Sequence, residues 1–219
     1  MLSDLLINTA PKHPIALISK NETIYFRPFL VREEKALLLA LDMGETGTIM
    51  KAIADIITSC CEKISNPLEL PIYEIENIFL QIRAKSVGEI IELNIEDEET
   101  GEIIEIPVNI DDIKISSKPS EGKLEISKDI IVNFRYPTLQ DFMDSVVDLS
   151  TTEGYYNLIA KCLIKINTPS ESINTETYEL DEIKNFLESM NKTHTSGKDK
   201  SITLEGIQDF FGLPSVILA

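Results

Sequence analysis

The hydrophobic period changes abruptly between Ile24 and Met43. Ile24, Phe26 and Pro28 alternate with Tyr25, Arg27 and Phe29, the period-two pattern of a strand that ends where proline removes a backbone donor. This predicts a strand over residues 22–30. From Val31 onward Leu37, Leu38 and Leu41 recur at helical spacing, behind a charged first turn of Arg32, Glu33, Glu34 and Lys35. A helix over about 31–42 follows, stopped by Gly44.

The same reading extends along the chain. Residues 45–64 place Ile49, Ile53, Ile56, Ile57 and Cys60 on one face, with Thr46 or Thr48 able to cap the start and Pro67 closing the end, which predicts a second helix. Residues 70–89 open with Pro71 and carry Ile75, Ile78, Phe79 and Ile82 as a stripe before Gly88, a third helix. GEIIEL at 88–93 and GEIIEI at 101–106 flank an acidic turn and predict a β-hairpin. Ile91, Leu93 and Ile95 share one face with Ile104, Ile106, Val108 and Ile110 on the return, and glutamates occupy the other face. Alternation through Ile113, Ile115, Leu124, Ile126, Ile130, Val132 and Phe134 predicts more antiparallel sheet over 111–136. The phrase FRYPTLQDFMDSVVDL, 134–149, then ends a strand at Pro137 and restarts as a helix, with Thr138 as cap and Asp141 three residues on. Tyr155, Leu158, Ile159, Cys162 and Leu163 mark another helix, a polar connector spans Asn167 to Thr177, and helices are expected over 181–190 and around Leu204 to Phe211.

The expected fold class is therefore α+β, helices packed with a mainly antiparallel sheet and a helical C-terminal third. Residues 1–21, with Pro11 and Pro14 and little periodicity, read as an N-terminal arm. Residues 22–219 read as one domain, helical over 31–88, β-rich over 89–136 and helical over 138–219. A length of 219 residues, 43% hydrophobic and 26% charged, suits a folded chain of this size. No apolar run approaches the ~18 residues that span a bilayer, and no basic segment precedes an apolar one at the N-terminus, so the chain is expected to stay in the cytoplasm where it is made.

Charge and chemistry narrow the function. A formal net charge of −17 opposes the phosphate attraction on which nucleic-acid binding rests, so no nucleic-acid partner is expected. Cys60, Cys61 and Cys162 make no disulfide framework, and His13 and His194 lie in polar or proline-flanked contexts, so buried thiols are expected rather than a metal site. The hairpin concentrates Glu89, Glu92, Glu96, Asp97, Glu98, Glu99, Glu102 and Glu105. No register of these acids supplies alternating oxygens, a glycine at position six and a glutamate at twelve, as a calcium loop requires. A carboxylate-dependent metal-binding enzyme using the acidic 89–105 hairpin is the alternative that this segment leaves open. No phosphate-binding loop, dinucleotide fingerprint or nucleophile elbow is present. The chain is expected to be no enzyme, with no catalytic residues, no metal ligands and no cofactor.

Three phrases in order, FRPFLVREEKALLLA at 26–40, LPIYEIENIFLQIRAKSVGEIIEL at 70–93 and RYPTL at 135–139, resemble the baseplate hub assembly family of T-even-type contractile-tailed bacteriophages. RAKSVGE at 83–89 is the most specific piece. The resemblance implies a non-enzymatic tail-assembly protein, a hub subunit or an assembly chaperone, with baseplate hub and tape-measure proteins as partners. It would act in the host cytoplasm during assembly and, as a subunit, in the virion tail baseplate. Arg27, Arg32, Arg83, Lys85 and Arg135, cations within or beside these phrases in an acidic chain, are expected at a partner surface or in internal ion pairs with Glu33, Glu34, Glu74 or Glu76. The closing apolar residues Phe210, Phe211 and Leu213 are expected in the core or at a partner interface.

Overall fold

The computed structural model describes residues 10–97, 100–101, 103–113, 122–144 and 151–189. Within them the fold is α+β, and the described residues fall into two compact units, 10–113 and 122–189.

The first unit begins with a hairpin, β1 (His13–Leu17) and β2 (Glu22–Phe26), paired antiparallel from His13↔Phe26 to Leu17↔Glu22. The hairpin thus starts inside the stretch expected to be an arm. Pro14 is tolerated because β1 is an edge strand that needs no donor there. Alternation buries Ile15, Leu17, Ile24 and Phe26 on one face. Strand β2 ends at Phe26 rather than reaching residue 30, because the Arg27 N–H leaves the ladder and donates to the Cys60 carbonyl at 3.0 Å.

Three helices follow, α1 (Val31–Met43), α2 (Thr46–Cys60) and α3 (Ile72–Ser86). Gly44 closes α1 in the left-handed region at φ 71°, donating its N–H to the Leu41 carbonyl, a conformation that glycine adopts without the Cβ penalty. The isoleucines foreseen on α2 and α3 supply the core: Ile53, Ile56, Ile57, Ile75, Ile78 and Ile82 are all but inaccessible, each contributing about 1.5–3 kcal/mol by burial. Glu74 of α3 is buried with them, satisfied by the Ser19 N–H at 2.6 Å and the Ser19 hydroxyl at 2.7 Å. This carboxylate fixes the β1–β2 turn onto α3.

Beyond α3 the chain forms the second hairpin, β3 (Ile90–Glu96) and β4 (Ile103–Asn109), in the register Ile91↔Val108, Leu93↔Ile106 and Ile95↔Ile104. Its base is held by a 3-10 turn, Ile110–Asp112, which buries Ile110 and donates the Ile110 N–H to the Glu89 carbonyl at 2.8 Å.

The second unit contains a four-stranded antiparallel sheet in the order β5-β6-β7-β8, from β5 (Lys123–Ser127), β6 (Ile130–Phe134), β7 (Leu163–Asn167) and β8 (Ser172–Asn174). Helices α4 (Leu139–Met143), α5 (Thr152–Cys162) and α6 (Leu180–Glu188) complete it. Ile126, Val132 and Phe134 of the sheet pack with Leu158, Ile159, Cys162 and Leu163, and Ile183, Phe186 and Leu187 of α6 lie against that cluster. Strand β8 falls within the expected polar connector at 167–177, and β7 starts at Leu163, where the sequence pattern continues the helix of the expected helical C-terminal third. The physical reason lies in LIKIN, whose alternation matches the pleat beside β6 once α5 stops at Cys162. The helix expected around Leu204 to Phe211 lies outside the described residues.

Candidate functional site

Arg27 leaves β2 just before α1 begins, and its guanidinium turns back over the helix start. Nη1 and Nη2 donate to the two carboxylate oxygens of Glu33 at 3.0 and 2.7 Å, Nη1 also donates to the Pro28 carbonyl at 2.9 Å, and Nη2 to the Ser59 carbonyl at 3.0 Å. Glu33 also accepts the Leu30 N–H at 2.7 Å and so caps α1 from its third position, Leu30 itself having no polar side chain. The Cys60 thiol sits 3.5 Å from Nη1. One fork therefore joins the hairpin exit, the start of α1 and the end of α2.

The second unit builds the same clasp. Arg135 leaves β6 and its Nη1 and Nη2 donate to Asp141 at 2.6 and 3.0 Å, with Nη1 also donating to the Tyr136 carbonyl at 3.2 Å. Asp141 accepts the Thr138 N–H at 2.8 Å and the Thr138 hydroxyl at 2.9 Å, completing the capping box that the sequence predicts. The Arg135 N–H donates to the Cys162 carbonyl at 2.9 Å, as the Arg27 N–H does to Cys60, and the Cys162 sulfur lies 4.0 Å from Nη1. In both units the acid stands six residues after the arginine and a cysteine closes the ring from the end of the second helix that follows.

Electrostatics follow from this geometry. Burial pushes the Glu33 carboxyl up, but the Arg27 hydrogen bonds, the Leu30 N–H and the Arg27 charge outweigh it, and the carboxyl is held below the usual range. Asp141 is likewise lowered on balance, with burial opposed by Arg135 and Thr138. Both arginines are raised, chiefly by the hydrogen bond to their acid. The three thiols are free and buried, and burial pushes each up to about 12. A thiol so far from ionisation is a poor nucleophile and a poor metal ligand. Among the described residues no group of three or more His, Cys, Asp or Glu is placed to hold a metal ion.

The other cations expected at a site are scattered. Arg32 is 61% exposed and only 3.8 Å from Glu33. Lys85 binds Glu89 at 2.6 Å and lies 3.9 Å from Asp111, anchoring α3 to the hairpin base. Nη1 of Arg83 is buried without a hydrogen-bond partner among the described residues. Phe210, Phe211 and Leu213 lie outside the described residues. Glu33 is among the carboxylates expected to pair with these cations, and Arg27 takes it; Asp141 as the partner of Arg135 is not, because a fork between residues six apart requires the turn after the strand, and the signal was Phe-Arg followed by proline within three residues, present at Phe26-Arg27-Pro28 and again at Phe134-Arg135-Tyr136-Pro137.

Among the described residues a groove and a sheet face stand open to solvent. An open groove of about 500 Å³ in the second unit is lined by the charged Arg135, Lys161 and Asp144 and by Tyr178, Leu180 and Ile183. The β3–β4 hairpin exposes isoleucines on its apolar face. No helix among the described residues is long and apolar enough to cross a membrane.

The described chain is a pair of hairpin-led α+β units, each with an arginine clasp at a helix start. The particular family follows from the sequence: the chain belongs to the T4 bacteriophage base plate proteins, whose pattern matches residues 10–197, across both units. No curated protein and no solved structure matches it.

Proposed function

We propose that this baseplate protein acts without catalysis in assembly of the tail hub, binding baseplate hub or tape-measure proteins as a subunit or as an assembly chaperone. The observation that carries the reading is the family match over 10–197. Its polar groups support a binding role: the strongest buried pairs form structural joints, while the second-unit groove and the β3–β4 face remain open. The groove, with Tyr178, Leu180 and Ile183 beside Lys161 and Asp144, suits the apolar stripe of a partner helix with polar flanks. Arg32 and the terminal Phe210, Phe211 and Leu213 would add to such contacts.

The test is a phage lacking this gene, examined by electron microscopy of tails, together with mass spectrometry of purified wild-type particles. Tails that stop before a complete hub are expected. Presence of the protein in particles at fixed stoichiometry would mark a subunit, and its absence from particles with defective mutant tails would mark a chaperone. Normal tails in the mutant would overturn the proposal.

A further inference from the structure

We infer that the two units are copies of one structural module, an internal duplication in which hairpin, clasp, two helices, returning strand, capped turn and third helix recur in the same order.

Equivalent positions keep one offset. Arg27 and Arg135 stand 108 residues apart, and so do the helix caps Leu30 and Thr138 and the acids Glu33 and Asp141. Past the clasp the correspondence holds. The residue after each clasp cysteine returns beside the hairpin, Cys61 opposite Phe26 and Leu163 opposite Phe134, both antiparallel. A 3-10 turn then follows in each unit, Pro67–Glu69 and Thr175–Thr177. An asparagine caps both, Asn66 accepting the Leu68 N–H at 3.2 Å and Asn174 the Glu176 N–H at 3.0 Å. Six residues after that asparagine a helix opens, α3 at Ile72 and α6 at Leu180. The phrases Glu74-Ile75-Glu76-Asn77 and Glu182-Ile183-Lys184-Asn185 occupy the same turn of each, again 108 residues apart.

Physical need does not account for all of this. A guanidinium fork requires an acid within reach, and a capping box supplies one. Neither requires the arginine N–H to meet a cysteine carbonyl, nor an asparagine-capped turn to precede the next helix. A third such turn, Ile110–Asp112, is capped by Asn109 outside this order, so the turn alone is ordinary and its place in the sequence of elements is what counts. Repetition of order and spacing together marks an internal repeat.

The copies differ at defined places. Between acid and cysteine the second is six residues shorter, and between cysteine and asparagine it is six longer, where β7 and β8 extend what is a single bridge in the first. The turn within the hairpin shrinks from residues 18–21 to residues 128–129, which removes the counterpart of Ser19. Glu74, held by Ser19, is buried, and its counterpart Glu182 is exposed. Leu70, Ile72 and Ile75 are buried, whereas their counterparts Tyr178, Leu180 and Ile183 line the open groove. The groove thus lies where the first copy keeps its side chains covered.

The test exchanges equivalent segments within the full chain. In one variant residues 22–33 are replaced by the sequence of residues 130–141, which sets Phe134 in the place of Phe26, Arg135 in that of Arg27 and Asp141 in that of Glu33. In a control the sequence of residues 129–140 is inserted instead, one residue out of register, which turns the apolar positions to the opposite face. Both are unfolded in urea and followed by circular dichroism. The in-register variant is expected to have an unfolding constant about a hundredfold or more below that of the control. Adding Arg27→Ala to it should raise that constant about a hundredfold or more, as breaking a buried pair does. Equal stability of the two variants, or a change below about tenfold on adding Arg27→Ala, overturns the duplication. Chains of the same family from other phages give a second measurement. First and second halves that align to one another in the register of Arg27 with Arg135 are expected, and alignment in another register, or no better than between unrelated chains, overturns it.

Discussion

Replacing Arg27 with alanine isolates the contribution of a buried joint. The Arg27 and Glu33 side chains are only 11% and 9% exposed, so the variant leaves a carboxylate in the interior with the Leu30 N–H and the weak Cys60 thiol as its remaining donors. Breaking one partner of a buried pair costs about 3–5 kcal/mol, several times the ~0–1 kcal/mol of an exposed pair. Two carbonyls, of Pro28 and Ser59, also lose their donor. The expectation at neutral pH is therefore a loss of about 3–5 kcal/mol, read by urea unfolding followed by circular dichroism. Arg32→Ala, five residues on and 61% exposed, serves as control with a loss of ~1 kcal/mol or less.

The pH dependence has a fixed sign. In the parent the Glu33 carboxyl is lowered, so its contribution is present above its unfolded value near 4.5 and is lost as pH falls through the folded value. Without Arg27 burial wins, the folded value rises above the unfolded one, and stability is lost as pH rises. The gap between parent and variant should therefore narrow as pH is lowered toward 4. Adding Glu33→Leu to Arg27→Met should recover most of the loss, because a buried pair exchanged for apolar groups is often neutral. A loss below about 1 kcal/mol at neutral pH, or a gap that does not narrow in acid, would refute the reasoning.

Glu76 lies partly buried on α3, with no ionic partner among the described residues, and burial pushes its carboxyl up to about 8. Its folded value is raised, so the related stability is fully present below about 4.5 and declines as pH rises toward 8. Glu76→Gln should match the parent near pH 4.5 and exceed it by ~1–3 kcal/mol at pH 8, discounting the linkage of about 1.4 kcal/mol per unit for partial solvent screening; identical unfolding curves at both pH values would contradict this. The thiols of Cys60, Cys61 and Cys162 should resist a colorimetric disulfide reagent at pH 8 in the native protein and all react after unfolding. Rapid labelling of any of them in the native protein would show its burial to be wrong.

Much of the fold was legible in local pattern. Isoleucines four apart on α2 and α3 gave both helices nearly to their ends, and the GEIIEL and GEIIEI phrases gave β3 and β4 because alternation and turn agree. Thr138 and Asp141 were legible as a capping box because that motif is local. Strands β7 and β8 were not, since Leu158, Ile159, Cys162 and Leu163 keep helical spacing across the point where the helix stops; only pairing with β6 decides it. The burial of Glu74 was likewise hidden, because its partner Ser19 lies in a turn 55 residues earlier. Arg27 and Arg135 could be chosen as special cations and Glu33 as one of several candidate partners, but which acid each takes, Asp141 above all, follows from a chain reversal that periodicity does not encode.

The paired clasps also bear on cooperativity. Arg27 with Glu33 holds one hairpin to its helices and Arg135 with Asp141 holds the other, and the two rings share no residue. A chain with one ring broken therefore need not lose the other, and a lesion can leave half the polypeptide native while the rest opens as a separate foldon. Such half-open molecules would expose the isoleucines of one core while keeping a folded companion attached. A clasp that fails would therefore raise the share of half-open molecules and, with it, the susceptibility to proteolysis that such states carry.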